Sequence, residues 1–412
     1  MIIFHIDANS AYLSWEAALR LEQGARTDLR NIPSVIGGDP EKRSGIVLAK
    51  SIPAKKYGVK TGETLYEARQ KCPELTVIPP NYDLYLKCSN AMYEMLCLYS
   101  SKVQRYSIDE CFLDYTESEK IFGRPIDAAL TIKERIKSEL GFTVNIGISA
   151  NKLLAKMASE FEKPDKIHTL FPEEMEFKLW PLPIEDLFMV GRATSKKLRK
   201  ININTIGELA HTNVLYLKTL LKSHGIVIWN YANGIDYSPV HNNDEIIQKG
   251  LGNSTTIPFD ITNREEAYMF LLALTERVSM RLRSFNCLCS LISVSIKTDS
   301  FIRYSHQAKL NTPTDSTTGI FNSVKKLFNE VWKCEPIRHL GIRVSEFISK
   351  DFYQLSFFDS TENSQNLDRT IDMIRKKYGD RSLVRSCFIH SNISPFQGGV
   401  NEEDYPMMSS LL

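Results

Sequence analysis

No stretch of the 412-residue sequence reaches the roughly 18 consecutive apolar residues of a membrane-spanning helix. The opening Met-Ile-Ile-Phe-His-Ile-Asp has neither a basic start nor a small-residue cleavage site. A membrane-bound or secreted protein is therefore not expected, and a cytoplasmic one is. The eight cysteines include no Cys-x-x-Cys pair. The closest two, Cys287 and Cys289, would share one face of a strand without His or Cys partners, so reduced, mostly buried thiols are expected rather than a zinc site. Charge is balanced too: 51 Lys and Arg against 49 Asp and Glu leave +2. Such a balance neither demands nor excludes a polyanionic partner, because what matters is where the cations cluster.

What is present is an ordinary globular composition, 43% hydrophobic and 24% charged, on a chain too long for one core, so about two to four domains are expected. Ile2 to Ile6 reads as an apolar strand running into Asp7, followed by a helix from Ala11 to Leu21 for which Asn9 or Ser10 would serve as cap. Helix is expected at Leu84 to Tyr99, then a hairpin from Val103 to Tyr115 with Ser107-Ile108-Asp109-Glu110 at its tip. Helix at Pro125 to Leu140, strand at Thr143 to Ser149 and helix at Asn151 to Glu162 complete a βαββαβ pattern, a ferredoxin-like sheet with one open face. Short helices separated by Gly191, Gly207 and Gly225 fill Leu182 to Tyr237. After a linker at Asn242-Asn243-Asp244, a second βαββαβ unit spans Ile246 to Lys350, with helices at Arg264 to Ser284 and Ser316 to Lys333. Beyond Asp351 the chain turns polar and reads as a tail with one helix near Leu367 to Tyr378.

Two carboxylates at a hairpin tip escape strand alternation, so Asp109 and Glu110 can converge, and Asp7 joins them if its strand lies beside the hairpin. Three acids without His or Cys suit a hard cation such as Mg²⁺, which takes oxygen ligands and leaves positions for water and substrate phosphates. Spacing alone favours the plainer reading of a capping Asp7 and two exposed turn acids.

Four ordered motifs alter that balance: His5-Ile6-Asp7-Ala8-Asn9-Ser10-Ala11-Tyr12, Ala54-Lys55-Lys56-Tyr57-Gly58, Tyr106-Ser107-Ile108-Asp109-Glu110, and Gly147-Ile148-Ser149-Ala150-Asn151-Lys152 with Lys163-Pro164 after it. Together they resemble the Y-family translesion DNA polymerases of the bacterial polymerase IV and V group, over roughly residues 1 to 358. The resemblance implies an α+β multidomain right hand: palm at 1–20 and 78–167, fingers at 21–77, helical thumb at 168–240, little finger at 245–350 and tail at 351–412. It implies that Asp7, Asp109 and Glu110, with the Ala8 carbonyl, hold two Mg²⁺ ions, and that Tyr12 is a steric gate against ribonucleotides. Lys55, Lys163 and the amides of Asn9, Ser10 and Ala11 at the first helix would hold the dNTP triphosphate. Asn9 and Lys55, where many members have Asp and Arg, lean toward the polymerase V branch; Ile52 stands where many have Tyr.

Leu187 to Leu198 resembles the family's helix-hairpin-helix, in which backbone N–H groups at Val190 and Gly191 would meet a DNA phosphate, although Met189 replaces the usual first glycine. Lys249, Gly252 and Thr256 belong to a run resembling the start of the little finger, and Arg303, Lys309, Arg338 and Arg343 lie on its strands, suited to sequence-independent phosphate contacts. Gln354, Leu355, Phe357 and Phe358 resemble the peptide that binds the sliding clamp. The expected partners are primer-template DNA, dNTP and clamp, with no membrane and a monomeric chain. Two rivals are kept: a cyclase or nuclease on the same sheet, and a weak or inactive DNA-binding accessory protein of this fold.

Overall fold

A computed structural model describes residues 1–242, 248–350 and 362–389, with positions 391, 393 and 395. It contains two compact units, one built mainly from Met1–Gly38 and Ile46–Ile246, the other mainly from Ile247–Glu403.

The first unit opens on β1 (Ile3–Ala8), buried along its whole length, which turns at once into α1 (Ala11–Glu22). A separate small sheet follows, made of β2 (Ser34–Gly37), β3 (Val47–Lys50) and β4 (Thr76–Ile78) in the order β3-β2-β4. Between β3 and β4 lie α2 (Ile52–Lys56), started by the Ser51 side chain, and α3 (Leu65–Lys71), started by a Thr64–Glu67 capping box. Then come α4 (Tyr82–Cys97), β5 (Val103–Arg105), β6 (Glu110–Asp114), α5 (Glu119–Phe122), α6 (Pro125–Leu140), β7 (Val144–Ser149), α7 (Lys152–Ser159) and β8 (Ile167–Thr169).

These strands form one sheet in the order β5-β6-β1-β7-β8, with β1 antiparallel to both β6 and β7. Alternation along β1 sends Phe4 and Ile6 into the core with Trp15, Tyr85 and Ile132. Each such side chain contributes about 1.5–3 kcal/mol by leaving water. The opposite face, expected to be open, is partly covered: α7 lies so close over Gly147 that a Cβ there would stand 2.0 Å from the Ala155 carbonyl oxygen. Glycine is needed for that approach. Ile3 and Phe112 on this face are sealed by Ala155 and by Val240 of the segment leaving the helical region. That region packs α8 (Met175–Lys178), α9 (Arg192–Arg199), α10 (Ile206–Ala210), α11 (Val214–Leu221) and α12 (Ser223–Ala232) around Leu187, Leu198, Ile206, Leu217 and Ile228.

The second unit is an antiparallel sheet of β9 (Gly250–Ile261), β10 (Cys287–Thr298), β11 (Arg303–Thr314) and β12 (Ile337–Ser349), in the order β11-β10-β12-β9. Helices α13 (Arg264–Ser284) and α14 (Thr317–Val331) cover one face, over Leu271, Leu274, Ile292, Val294, Leu340 and Val344. The polar stretch read as a tail holds α15 (Glu362–Tyr378), which begins five residues before the expected Leu367 and docks on this unit. Its Asp372 is gripped by Arg283, and Arg375 reaches the buried Glu276 of α13. Phe388 and Ile393 join the core. Polar composition hid the docking because the inward face is built from ion pairs as much as from apolar side chains. Among the described residues no helix is long and apolar enough to cross a membrane.

Candidate active site

Asp7 and Glu110 are partners in the register of β1 against β6. Residues directly opposite in an antiparallel pair point to the same face, which here is the face under α7. Asp109 precedes β6, and its carbonyl oxygen accepts the Ala8 N–H at 3.0 Å. Its carboxylate accepts a hydrogen bond from the Ser107 hydroxyl at 2.6 Å. The three acids thus share one sheet edge, as a hairpin tip beside β1 requires.

Each carboxylate has a partner supplied by the fold. The Lys163 ammonium bonds Asp7 and stands 2.9 Å from Glu160. The Lys156 ammonium lies 2.5 Å from Glu110 Oε2, and His5 Nε2 lies 3.3 Å from the same oxygen. His5 is fully buried, and its Nδ1 is 2.7 Å from the Ser159 hydroxyl. Burial holds the His5 pKa down at about 4, so the ring is neutral at pH 7 and the tautomer that suits a carboxylate carries its proton on Nε2. Burial works to raise the Glu110 carboxyl, but the His5 bond and the Lys156 charge outweigh it and hold the pKa at about 2. Burial pushes Asp7 up, Lys163 pulls it back and Glu110 pushes it up further. Asp109 is raised by burial, pulled back by Ser107 and raised again by Glu110.

Raised carboxylates crowded by a like charge are the electrostatic setting that a divalent cation relieves, and an all-oxygen donor set suits a hard ion. Among the described residues no three His, Cys, Asp or Glu side chains already stand as a metal-binding group. The physical reason is the pairing just described: Asp7 and Glu110 are drawn toward lysines and Asp109 toward Ser107. The residues fit Mg²⁺, with Lys156 and Lys163 now carrying the neutralising charge. Sequence reasoning missed His5, Lys156 and Ser159; the i, i+3 spacing of Lys156 and Ser159 on α7 was the available signal.

At α1, Ser10 holds the capping position with φ 50 and makes no side-chain cap bond, contrary to the expected capping by Ser10 or Asn9. Asn9 is instead turned to Thr143: its Nδ2 donates to Thr143 Oγ1 at 3.2 Å, while its buried Oδ1 has no hydrogen-bond partner. The first turn of α1, including Ala11, is therefore not closed by a side chain, as an anion site requires. Tyr12 is half-buried, one ring face stacked on Tyr85 with centroids 4.4 Å apart. Lys55 is exposed on α2, and Lys50, which sequence reasoning passed over, is lowered by burial and by the Lys55 charge. Ile52 is exposed at the start of the same helix.

In the helical region Met189 adopts φ 71, a left-handed turn made without glycine. Val190 is buried and donates its N–H to the Leu187 carbonyl at 3.0 Å; Gly191 is exposed at the start of α9. In the second unit the register pairs Gly252 with Arg343, Thr256 with His339 and Arg303 with Lys297. With Ile292, Val294 and Ile296 facing the helices, Gly252, Thr256, Lys297, Arg303 and Arg343 fall on the face turned away from α13 and α14. Lys249 is exposed just before β9. Lys309 pairs with Glu346 at 3.0 Å, and Arg338 lies 4.9 Å from the exposed Phe301 ring. Gln354, Leu355, Phe357 and Phe358 lie outside the described residues.

The impB/mucB/samB family is matched over residues 6–160, and its C-terminal domain over residues 248–357. DNA polymerase IV of Clostridium acetobutylicum is 50% identical over 391 residues, covering 94% of this chain and 98% of that protein. DNA polymerase IV 2 of Bacillus subtilis is 37% identical over 393 residues, covering 94% of this chain and 94% of that protein. A Y-family DNA polymerase chimera of Dbh and Dpo4 superposes with a TM-score of 0.75 at 22% identity, over 85% of this chain and 100% of that one, which speaks to the fold alone. Single residues such as Asn9 and Lys55 do not define a branch, and the relatives correct the lean toward polymerase V. The chain belongs to the Y family of translesion DNA polymerases, in the bacterial DNA polymerase IV group.

Proposed function

We propose that Asp7, Asp109 and Glu110, with the Ala8 carbonyl, hold two Mg²⁺ ions at the centre of this template-directed, lesion-bypass DNA polymerase. The observation that carries the reading is the register of Asp7 against Glu110, with Asp109 tied to Ala8. When bound, such ions lower the pKa of the attacking hydroxyl and balance charge on the phosphates. The primer 3′-hydroxyl attacks the α-phosphate of a template-paired dNTP, and pyrophosphate leaves. His5 and Lys156 both engage Oε2 of Glu110 and so fix the orientation of its carboxylate. Lys163, now on Asp7, exchanges that partner for a triphosphate oxygen, and Lys55 and Lys50 add charge from the small sheet. The uncapped amides of Asn9, Ser10 and Ala11 receive phosphate, and Tyr12 blocks a 2′-hydroxyl.

The five-stranded sheet is assigned as palm, the three-stranded sheet as fingers, the helical region as thumb and the four-stranded unit as little finger. Gly191, Lys249, Gly252, Thr256, Arg303 and Arg338 serve the DNA backbone. Gln354, Leu355, Phe357 and Phe358 recruit the sliding clamp, and the chain works as a monomer. Primer extension with all four dNTPs and Mg²⁺, beside Mn²⁺ binding followed by electron paramagnetic resonance, tests the centre. Wild type extends and binds metal, Asp7→Asn loses both, and an Asp7→Asn protein that still extends refutes the assignment.

A further inference from the structure

Lys163 stands on the segment 160–166 that joins α7 to β8, and its ammonium bonds Asp7 and lies 2.9 Å from Glu160. That ammonium aims only as well as the segment beneath it is held. One anchor is Asn145 of β7, fully buried and opposite Asp7 in the register. Its Nδ2 donates to the Glu162 carbonyl at 2.7 Å and to the Ser159 carbonyl at 3.1 Å, and its Oδ1 accepts the Lys166 N–H at 3.3 Å.

The other anchor is Asp165, two residues after Lys163. Its Oδ1 accepts the Lys133 ammonium at 2.8 Å and its Oδ2 the Lys137 ammonium at 2.9 Å. Lys133, which also reaches Glu134 at 2.8 Å, and Lys137 lie one turn apart on α6. Ala129, Ile132 and Ile136 of that helix are in the core, so the anchor is a packed element. Asp165 has φ 62, a left-handed conformation that aspartate and asparagine tolerate. A turn alone would be served by glycine without steric cost. A carboxylate held at both oxygens fixes the place of the turn as well as its direction.

We propose that Asp165, held by Lys133 and Lys137, is a positioning residue that sets the reach of Lys163 toward the triphosphate of the incoming dNTP. This role rests on the assignment of Lys163 to that triphosphate. Bracketed at Glu162 and Asp165, the backbone of Lys163 stays in place while its side chain exchanges Asp7 for a phosphate oxygen. A lysine is a point charge on a flexible stem, so the fixed base supplies the orientation that the side chain lacks.

The test is a double-mutant cycle on dNTP affinity, measured by equilibrium fluorescence on the full chain with a dideoxy-terminated primer-template, so that no chemistry intervenes. Asp165→Asn keeps a residue that tolerates the left-handed turn and removes the charge. Its dNTP affinity falls about tenfold, the scale for loosening one charge-assisted contact, while primer-template affinity and melting temperature stay with the wild type. Lys133→Met with Lys137→Met gives the same loss of dNTP affinity from the other side of the anchor. In a Lys163→Ala background Asp165→Asn has no further effect, because the two residues act through one contact. Wild-type dNTP affinity in Asp165→Asn, where Lys163→Ala is weakened, overturns the proposal and leaves the Lys163 assignment standing. So do additive losses, or a lower melting temperature with dNTP affinity intact, which would mark the ion pairs as packing only. Undiminished affinity in Lys163→Ala refutes the triphosphate assignment itself, and the role of Asp165 falls with it.

Discussion

The two larger sheets share a plan, mostly antiparallel strands backed by helices, yet use charge in opposite ways. On the five-stranded sheet Asp7 and His5 are buried and each of the three site acids has a dedicated partner. On the four-stranded sheet Arg303 and Arg343 stand exposed beside glycine and small polar residues on the face turned away from α13 and α14. Burial makes a few charges costly, specific and shifted in pKa, which is what chemistry needs. Exposure leaves charges cheap and screened by salt, which is what sequence-independent adhesion needs.

The largest expected effect lies on the buried side. Asp109→Ala should lower single-nucleotide insertion by about 10²–10³-fold or more, the scale for losing one preorganised electrostatic group. DNA affinity and the thermal midpoint should barely change; retained insertion would erase the contrast between the two sheets. Next is Tyr12, whose ring stacks on Tyr85 but remains half-buried. Tyr12→Ala should reduce the preference for dCTP over CTP opposite template G by about 10–100-fold, the range for opening a shaped pocket. An unchanged ratio with a lower melting temperature would mark the ring as packing only.

On the exposed side, Arg303→Ala with Arg343→Ala should weaken primer-template binding only a few-fold near physiological salt. The more telling readout is the slope of log affinity against log salt, shallower by about 0.9 for each phosphate left without its cation. A weakening independent of salt would show that these arginines behave like the buried set.

The smallest effect concerns His5. Burial lowers its pKa from 6.5 to about 4, so as the pH falls the unfolded chain takes up a proton before the folded one does. Stability from this group is therefore intact above 6.5 and lost progressively down to about 4. In EDTA, the wild-type melting temperature should drop across that window more steeply than that of His5→Gln. Parallel curves would show that His5 carries no such linkage.

Helix α6 was legible because Pro125 starts it and Gly141, at φ 78, stops it, and α13 because Asn263 caps its start. The strands of the small sheet, three or four residues each, are too short to show alternation. The start of α15 escaped notice because nothing local says that Asp372 meets Arg283, 89 positions earlier in the chain. The same limit applied at the active site, where the acids were legible and their partners were not.

The sequence by itself determined which acids occur, that Asp7 lies near the end of a strand and that Asp109 and Glu110 sit at a hairpin tip, because those follow from local alternation and turn chemistry. Only the tertiary structure decided that His5 and Lys156 fasten Glu110 across 105 and 46 positions, and that Lys163 returns to Asp7 across 156. Sheet order and the seat of α7 over Gly147 set those distances, and both depend on packing between segments remote in the chain.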